Sequence, residues 1–298
     1  MKPTRLAFAM ALLSALPQAP PLMTAQDLMS LPVQAPDHTI PYGREASQYG
    51  ELRVPSGRGP HPVVVLVHGG CFRTDFADVT SIGAMADALK REGVATWSLE
   101  YRRLPEPGGG WPGTYQDVGA GVDHLRALAP RHRLDLRRVV ILGHSAGGHL
   151  AHWAAARSRL DRGSLLHTDD SLKPRGVINL AGRTDMTVGI PEYEATCNDL
   201  PVLRQLLGGL PAQVPARYAQ VSLPGLLPLG VRQVLIWGSR ETFVPEPQAR
   251  DFVAAAQRAG DEAELRIVPG AGHFETASPA SDAWPVVIGA IRSLLGAP

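Results

Sequence analysis

The sequence has few aromatic residues, no excess of basic residues and no long apolar run, and these shortages exclude several classes of protein. Aromatic residues make up 6% of the 298 residues, too few for an extended base-stacking surface. The formal net charge is +1, without the basic excess of nucleic-acid-binding proteins. No apolar stretch approaches the ~20 residues that span a bilayer. We therefore expect no nucleic-acid partner and no stable membrane insertion.

Cysteine occurs only twice, as Cys71 and Cys197. Two cysteines cannot build a disulfide scaffold, and neither has a CxxC partner or a histidine at zinc-like spacing. One alternative is a single disulfide that ties the loop at 71 to the loop at 197, which requires an exported protein. The other alternative, which the sequence alone favours, is a pair of buried free thiols.

Residues 1–25 resemble a secretory signal. Lys2 and Arg5 precede an apolar stretch from Leu6 to Leu16, and a basic start before an apolar core is typical of export signals. We expect a periplasmic or secreted protein in which residues 26–298 form one domain. Because the cleavage site is poor, the alternative is a cytoplasmic product that starts at Met23.

The rest of the chain alternates between apolar runs and helix-like segments. The run Val63–Val67 is continuous and bounded by proline and glycine, which is typical of a strand buried on both faces. Such alternation predicts an α/β fold, with a mostly parallel sheet and helices on both faces. Ligands of such sheets bind beyond the carboxyl ends of the strands. The other predicted strands are 49–54, 94–99, 139–142, 177–180, 234–237 and 265–268, and the predicted helices are 82–91, 118–128, 146–157, 247–259 and 284–295.

A G-x-S-x-G motif, Gly143 to Gly147, stands between a predicted strand and a predicted helix. This setting is the one in which the motif holds an exposed nucleophilic serine on a sharp turn. Ser145 is therefore the candidate nucleophile, and the alternative is a simple helix N-cap. His144, His149 and His152 cluster nearby, but no carboxylate completes a metal site, so we expect no metal ion.

A serine hydroxyl at its ordinary pKa needs a base, which an acid must orient. Glu241 follows the predicted strand 234–237, and His273 follows the predicted strand 265–268. Their order along the chain, with Ser145 first, is nucleophile, acid, base. Taken singly, each of the two is an ordinary loop residue, but together at neighbouring strand ends they predict a triad.

Acyl transfer also needs N–H donors for the oxyanion. The glycines of His68-Gly69-Gly70-Cys71 follow the first buried strand and let the backbone approach a substrate closely. We expect the N–H of Ala146 to be one donor and that of Gly70 or Cys71 to be the other. The alternative is a plain Gly-Gly turn.

Six sequence motifs carry a family resemblance: HGGC (68–71), EYRR (100–103), WPGTYQDV (111–118), GHSAGG (143–148), VPEPQA (244–249) and GAGHFE (270–275). Together they resemble the α/β-hydrolases, and within them the group of kynurenine formamidase and the related feruloyl-type acyl esterases. The resemblance implies a serine hydrolase without a cofactor that cleaves a carboxylic ester or an activated amide such as N-formylkynurenine. Glu241 stands where that group usually has Asp, and Cys71 where it more often has Trp, Tyr or Gly.

Two other functions fit the same fold. One is an exopeptidase of the prolyl-oligopeptidase type, although 298 residues leave no room for the large extra domain of those enzymes. The other is a catalytically silent hydrolase fold used for binding, although such proteins often lose a triad member. Residues 183–230 are irregular and are expected to cover part of the pocket as a short cap. The sequence leaves the oligomeric state open.

Overall fold

The strands follow the predicted runs closely. The computed structural model describes residues 20–296, so the predicted signal core Leu6–Leu16 lies outside the described residues. Within them, the sheet has eight strands: β1 (His38–Pro41), β2 (Tyr49–Arg53), β3 (His61–Val67), β4 (Ala95–Leu99), β5 (Leu134–His144), β6 (Gly176–Leu180), β7 (Arg232–Gly238) and β8 (Ala263–Val268). Their order is β1-β2-β4-β3-β5-β6-β7-β8. β2 pairs antiparallel with both of its neighbours, β1 and β4, and all the other neighbouring strands pair parallel.

Helices cover both faces of the sheet, and alternation along β3 shows why. Val63, Val65 and Val67 belong to one buried cluster, whereas Val64 and Leu66 belong to a second cluster on the opposite face. This architecture confirms the predicted α/β-hydrolase fold. The helices are α1 (Ala25–Met29), α2 (Gly83–Arg91), α3 (Gly113–Asp123), α4 (Leu125–His132), α5 (Ala146–Ala156), α6 (Ile190–Thr196), α7 (Val202–Leu207), α8 (Pro215–Ala219), α9 (Glu246–Arg258) and α10 (Trp284–Leu295).

The structure differs from the predicted elements at four places. The helix predicted over 118–128 is two helices, α3 and α4, and the predicted cap at 183–230 contains α6, α7 and α8. β1 was not predicted, because three of its four residues are exposed at the sheet edge and leave no apolar alternation. α1 was not predicted because it has only five residues, although Thr24 and Asp27 cap each other in a capping box. None of the described helices is long and apolar enough to cross a membrane.

Two histidines of α5 are buried and hydrogen-bonded in their neutral form. His149 Nδ1 donates to the carbonyl oxygen of Arg183 at 3.1 Å, so its Nε2 accepts from the Tyr115 hydroxyl at 3.0 Å. His152 Nε2 donates to Gln233 Oε1 at 2.7 Å. Burial lowers the pKa of His149 to about 3 and that of His152 to about 4. Both imidazoles are therefore neutral in the folded protein at pH 5–7.

These two histidines predict that stability falls with acid. Below about pH 6.5 the unfolded chain binds a proton on each imidazole and the folded chain does not, so the free energy of unfolding decreases as the pH falls. The expected slope is about 1.4 kcal/mol per pH unit for each histidine. Urea unfolding at several pH values measures it. In His152→Gln, the slope between pH 4.5 and 6 should be smaller by the contribution of one histidine, about 1.4 kcal/mol per pH unit, and the slope above pH 7 should be unchanged. An unchanged slope at acid pH would contradict a neutral His152 in the folded protein.

Candidate active site

Ser145 sits on a strained turn between β5 and α5. Its φ of 55° and ψ of −124° are outside the helical and extended regions, a conformation that costs about 1–3 kcal/mol and persists only where the surroundings enforce it. A Cβ on Gly143 would lie 2.0 Å from the carbonyl oxygen of Gly147, and one on Gly147 would lie 2.2 Å from that of Val67. Both positions therefore require glycine. The Ser145 N–H donates to the Leu180 carbonyl oxygen at 2.8 Å, which ties the turn to β6.

Glu241 and His273, two members of the predicted triad, are in direct contact. His273 Nδ1 donates to Glu241 Oε2 at 2.7 Å. The other carboxylate oxygen, Oε1, accepts the N–H groups of Phe243 at 2.5 Å and Val244 at 3.1 Å. Three donors thus hold the carboxylate, and the contact leaves Nε2 as the free nitrogen of the His273 ring.

Aromatic rings pack on His273. The Phe243 ring stacks on the imidazole with centroids 4.4 Å apart and an interplanar angle of 19°. The His144 ring lies 4.7 Å away, and its Nε2 donates to the His273 carbonyl oxygen at 3.0 Å. Burial lowers the pKa of His144 to about 3, so His144 is neutral and adds no positive charge beside the imidazole. These contacts fix the orientation of the His273 ring.

Ser145 and His273 line the same cavity. Among the described residues, Ser145 Oγ has no hydrogen-bond partner, so the structure joins Glu241 to His273 and leaves the hydroxyl free in the same cavity. In unliganded enzymes the contact between nucleophile and base is often long and tightens only when substrate binds.

The loop after β3 contributes Gly69, Gly70 and Cys71 to the lining of this cavity. Gly70, Cys71 and Phe72 have φ values of 104°, 51° and 58°. Within the described part of the chain, the N–H groups of Gly70, Cys71 and Ala146 donate no hydrogen bond. N–H groups that have no other acceptor can donate to an oxyanion without a prior rearrangement of the loop.

A buried network, which the sequence reasoning missed, anchors this loop. Glu100 Oε1 accepts from His68 Nε2 at 3.0 Å, and Oε2 accepts the N–H of Val79 at 3.1 Å. Arg103 pairs with the same carboxylate at 3.0 Å. Burial opposes the ionisation of Glu100, but His68 and Arg103 outweigh it and lower its pKa below the usual range. The His-Gly-Gly and Glu-Tyr-Arg-Arg motifs were the available signal, because this network joins them.

The expectation of two free thiols is wrong: Cys71 and Cys197 form a disulfide, with Cα atoms 6.0 Å apart. Sequence spacing could not show this, because 126 residues separate the two cysteines and only the fold brings them together. The bond connects the loop that bears the candidate oxyanion donors to the end of α6.

The cavity has a volume of about 490 Å³ and is mostly apolar. The predicted cap contributes Thr196 and Asn198. Six of the twenty lining residues come from an unexpected place, the stretch 22–29 near the predicted signal boundary. No lining residue within the described chain carries a carboxylate, guanidinium or ammonium group. Pockets of this size and character bind small, mainly apolar molecules.

The family model described as BD-FAE matches residues 52–255, more than half of the chain. The chain belongs to the BD-FAE family. Among curated proteins it is similar to a kynurenine formamidase-like hydrolase of Fusarium equiseti, with 28% identity over 49% of this chain and 56% of the relative. It is also similar to the esterase LipC of Mycobacterium tuberculosis, with 26% identity over 72% of this chain and 53% of the relative. The chain spans about half the length of these curated relatives.

Solved structures agree on the fold. Esterase B from Lactobacillus rhamnosis is 21% identical, with a TM-score of 0.74 over 89% of this chain and 88% of that chain. The esterase Est2 from Thermogutta terrifontis is 19% identical, with a TM-score of 0.68 over 87% of this chain and 92% of that chain. At these identities the similarity shows the fold alone, which for this BD-FAE member is the α/β-hydrolase fold.

The disulfide generates a direct prediction. Thiol titration in denaturant should detect no free thiol in the purified protein and two after reduction, because Cys71 and Cys197 are the only cysteines. The Cys197→Ser variant is the matched control and should show one thiol under both conditions. Two free thiols in the unreduced protein would contradict the bond.

Proposed function

We propose that this BD-FAE family member is a serine hydrolase that cleaves neutral carboxylic esters through an acyl-enzyme on Ser145. The observation that carries the proposal is the 2.7 Å contact of Glu241 with His273, because His273 lines the same cavity as Ser145. The similarity to esterases and to a formamidase-like hydrolase supports it.

In the proposed mechanism, His273 Nε2 takes the proton of Ser145 Oγ as that oxygen attacks the ester carbonyl. Glu241 accepts the hydrogen bond from His273 Nδ1–H, which fixes the tautomer of the imidazole and stabilises the imidazolium. The N–H of Ala146, together with that of Gly70 or Cys71, receives the oxyanion, and one such donor is worth ~2.7–4 kcal/mol of barrier. The imidazolium then protonates the leaving alcohol. Water repeats the cycle on the acyl-enzyme and releases the acid.

The character of the cavity favours an ester over the other candidate substrates. An amino-acid formamide such as N-formylkynurenine carries an ammonium and a carboxylate at neutral pH, and a peptide N-terminus carries an ammonium. Burying either charge without a partner is costly. The described lining residues offer no opposite charge. This supports a neutral ester and argues against both the formamidase and the exopeptidase alternatives.

We also propose export, as the N-terminal pattern predicts. The disulfide between Cys71 and Cys197 supports it, because such bonds form and persist in oxidising compartments and are rare in the cytosol.

The proposal predicts that Ser145→Ala abolishes ester hydrolysis. Loss of the nucleophile in triad enzymes costs ~10⁶-fold in rate, so turnover of p-nitrophenyl acetate should fall to background. A fluorophosphonate probe should label the wild-type protein and not the variant. Ser293→Ala, at an exposed position on α10, is the matched control and should behave as wild type. Equal hydrolysis by wild type and Ser145→Ala would end the proposal.

The acid makes a second prediction. Glu241→Gln replaces the oxygen that accepts the His273 Nδ1 proton by a group that offers the wrong hydrogen-bonding pattern, so kcat should fall about 10³–10⁴-fold. Glu241→Asp keeps the charge and should retain more activity than the Gln variant. Steady-state kinetics on p-nitrophenyl acetate measure both. Wild-type kcat in Glu241→Gln would mean that another group orients the imidazole.

A further inference from the structure

We propose that the N-terminal segment, residues 20–29, is a substrate-binding wall that favours esters with an unbranched alkyl group. This inference rests on the proposed function, and it requires that the exported chain keeps residues 20–25, because a cut after Ala25 would remove Leu22 and Met23. Leu22, Met23, Leu28 and Met29 all line the cavity that contains Ser145 and His273. No position before the first strand gave a sequence signal for a substrate site, since part of this stretch resembles the end of an export signal.

One carboxylate fastens the segment to the loop of the proposed base. Glu275 Oε1 accepts the N–H of Met23 at 2.5 Å, and Oε2 accepts the N–H of Gly272 at 3.0 Å. Gly272 directly precedes His273 in the chain. The same side chain therefore fixes the wall and the base loop relative to each other. Arg240 Nη1 adds a contact to the carbonyl oxygen of Pro20 at 2.7 Å.

The far end of the segment is fixed as well. Thr24 and Asp27 close the capping box at the start of α1. Leu28 is 6% exposed and belongs to the buried cluster that includes α2 and α10. Beyond α1, the N–H of Gln34 donates to Asp87 Oδ2 at 2.7 Å. Because both ends are held, the wall has a defined position beside Ser145.

The wall offers apolar contact surface. Met29 is 44% exposed and Leu22 and Met23 are half-buried, so a ligand can cover more of their surface. Each methylene group of a ligand that is buried against such apolar surface raises the affinity for that ligand about fourfold. Methionine adapts its shape to varied partners, which suits a chain of variable length. The chemistry that this wall recognises is therefore an uncharged alkyl group, in the acyl or the alcohol half of the ester.

The test uses the full chain with Leu22→Ala and Met23→Ala combined. Two ester series are compared by kcat/KM: p-nitrophenyl acetate, butanoate and hexanoate, and the acetates of ethanol, butanol and hexanol. Wild type should gain with length in one series, which identifies the half of the ester that the wall contacts. In the double variant, the hexyl-to-short ratio of that series should fall about tenfold. Met29→Ala tests the same contact at an exposed position, where loss of folding is not expected.

Leu31→Ala is the matched control, because Leu31 packs on the same cluster but does not line the cavity. It should keep the wild-type length profile. An unchanged profile in the double variant and in Met29→Ala would overturn the wall, and so would a gain for the longer esters. Labelling of Ser145 by alkyl fluorophosphonates of increasing chain length gives a readout that needs no turnover. Labelling that follows length without hydrolysis of any ester would contradict the proposed function and keep the wall, whereas no labelling would overturn both.

Discussion

The backbone conformation of Ser145 is the constraint on which the rest of the site depends. Ser145, with φ of 55°, lies between a strand and a helix, and the backbone on each side of it is tightly packed. The carbonyl oxygen of Gly147 leaves no space for a Cβ at position 143, and that of Val67 leaves none at position 147. The two glycines therefore let the turn pack directly against the end of β3, which is the parallel neighbour of β5. The same adjacency brings the loop after β3, with its unpaired N–H groups, to the start of α5. Sheet order thus determines where both the proposed nucleophile and the proposed oxyanion donors lie.

Much of this arrangement could be predicted from the sequence, because it follows from strand ends. Glu241 and His273 come directly after β7 and β8, which are parallel neighbours, so their contact required only that both strands were identified. The disulfide and the wall at residues 20–29 could not be predicted in the same way. Cys197 and Met23 lie outside any strand, and their positions depend on how irregular segments pack. Periodicity carries no information about such packing.

The predicted signal boundary is a further case in which the sequence did not predict how an irregular segment packs. Composition places a boundary near residue 25, yet in the structure Pro20 to Thr24 contact Arg240, Glu275 and the cavity. A cut after Ala25 would remove Leu22 and Met23 from the cavity, whereas a cut after Ala19 would keep both. The composition of an export signal and the packing of a mature chain are separate constraints, and residues 20–25 are subject to both.

The two unpredicted features act on the same part of the molecule. The disulfide ties the loop of Cys71 to α6, and Glu275 ties the N-terminal segment to the loop of His273. Hydrogen-bond geometry at the sheet edge fixes the reacting groups to within fractions of an ångström, and few sequences satisfy it. The cavity walls have only to present apolar surface at a suitable distance, which many segments can do. Substrate preference can therefore change through the walls while the chemistry proposed for Ser145 stays the same, so motifs at the strand ends carry information about the reaction class and none about the ester.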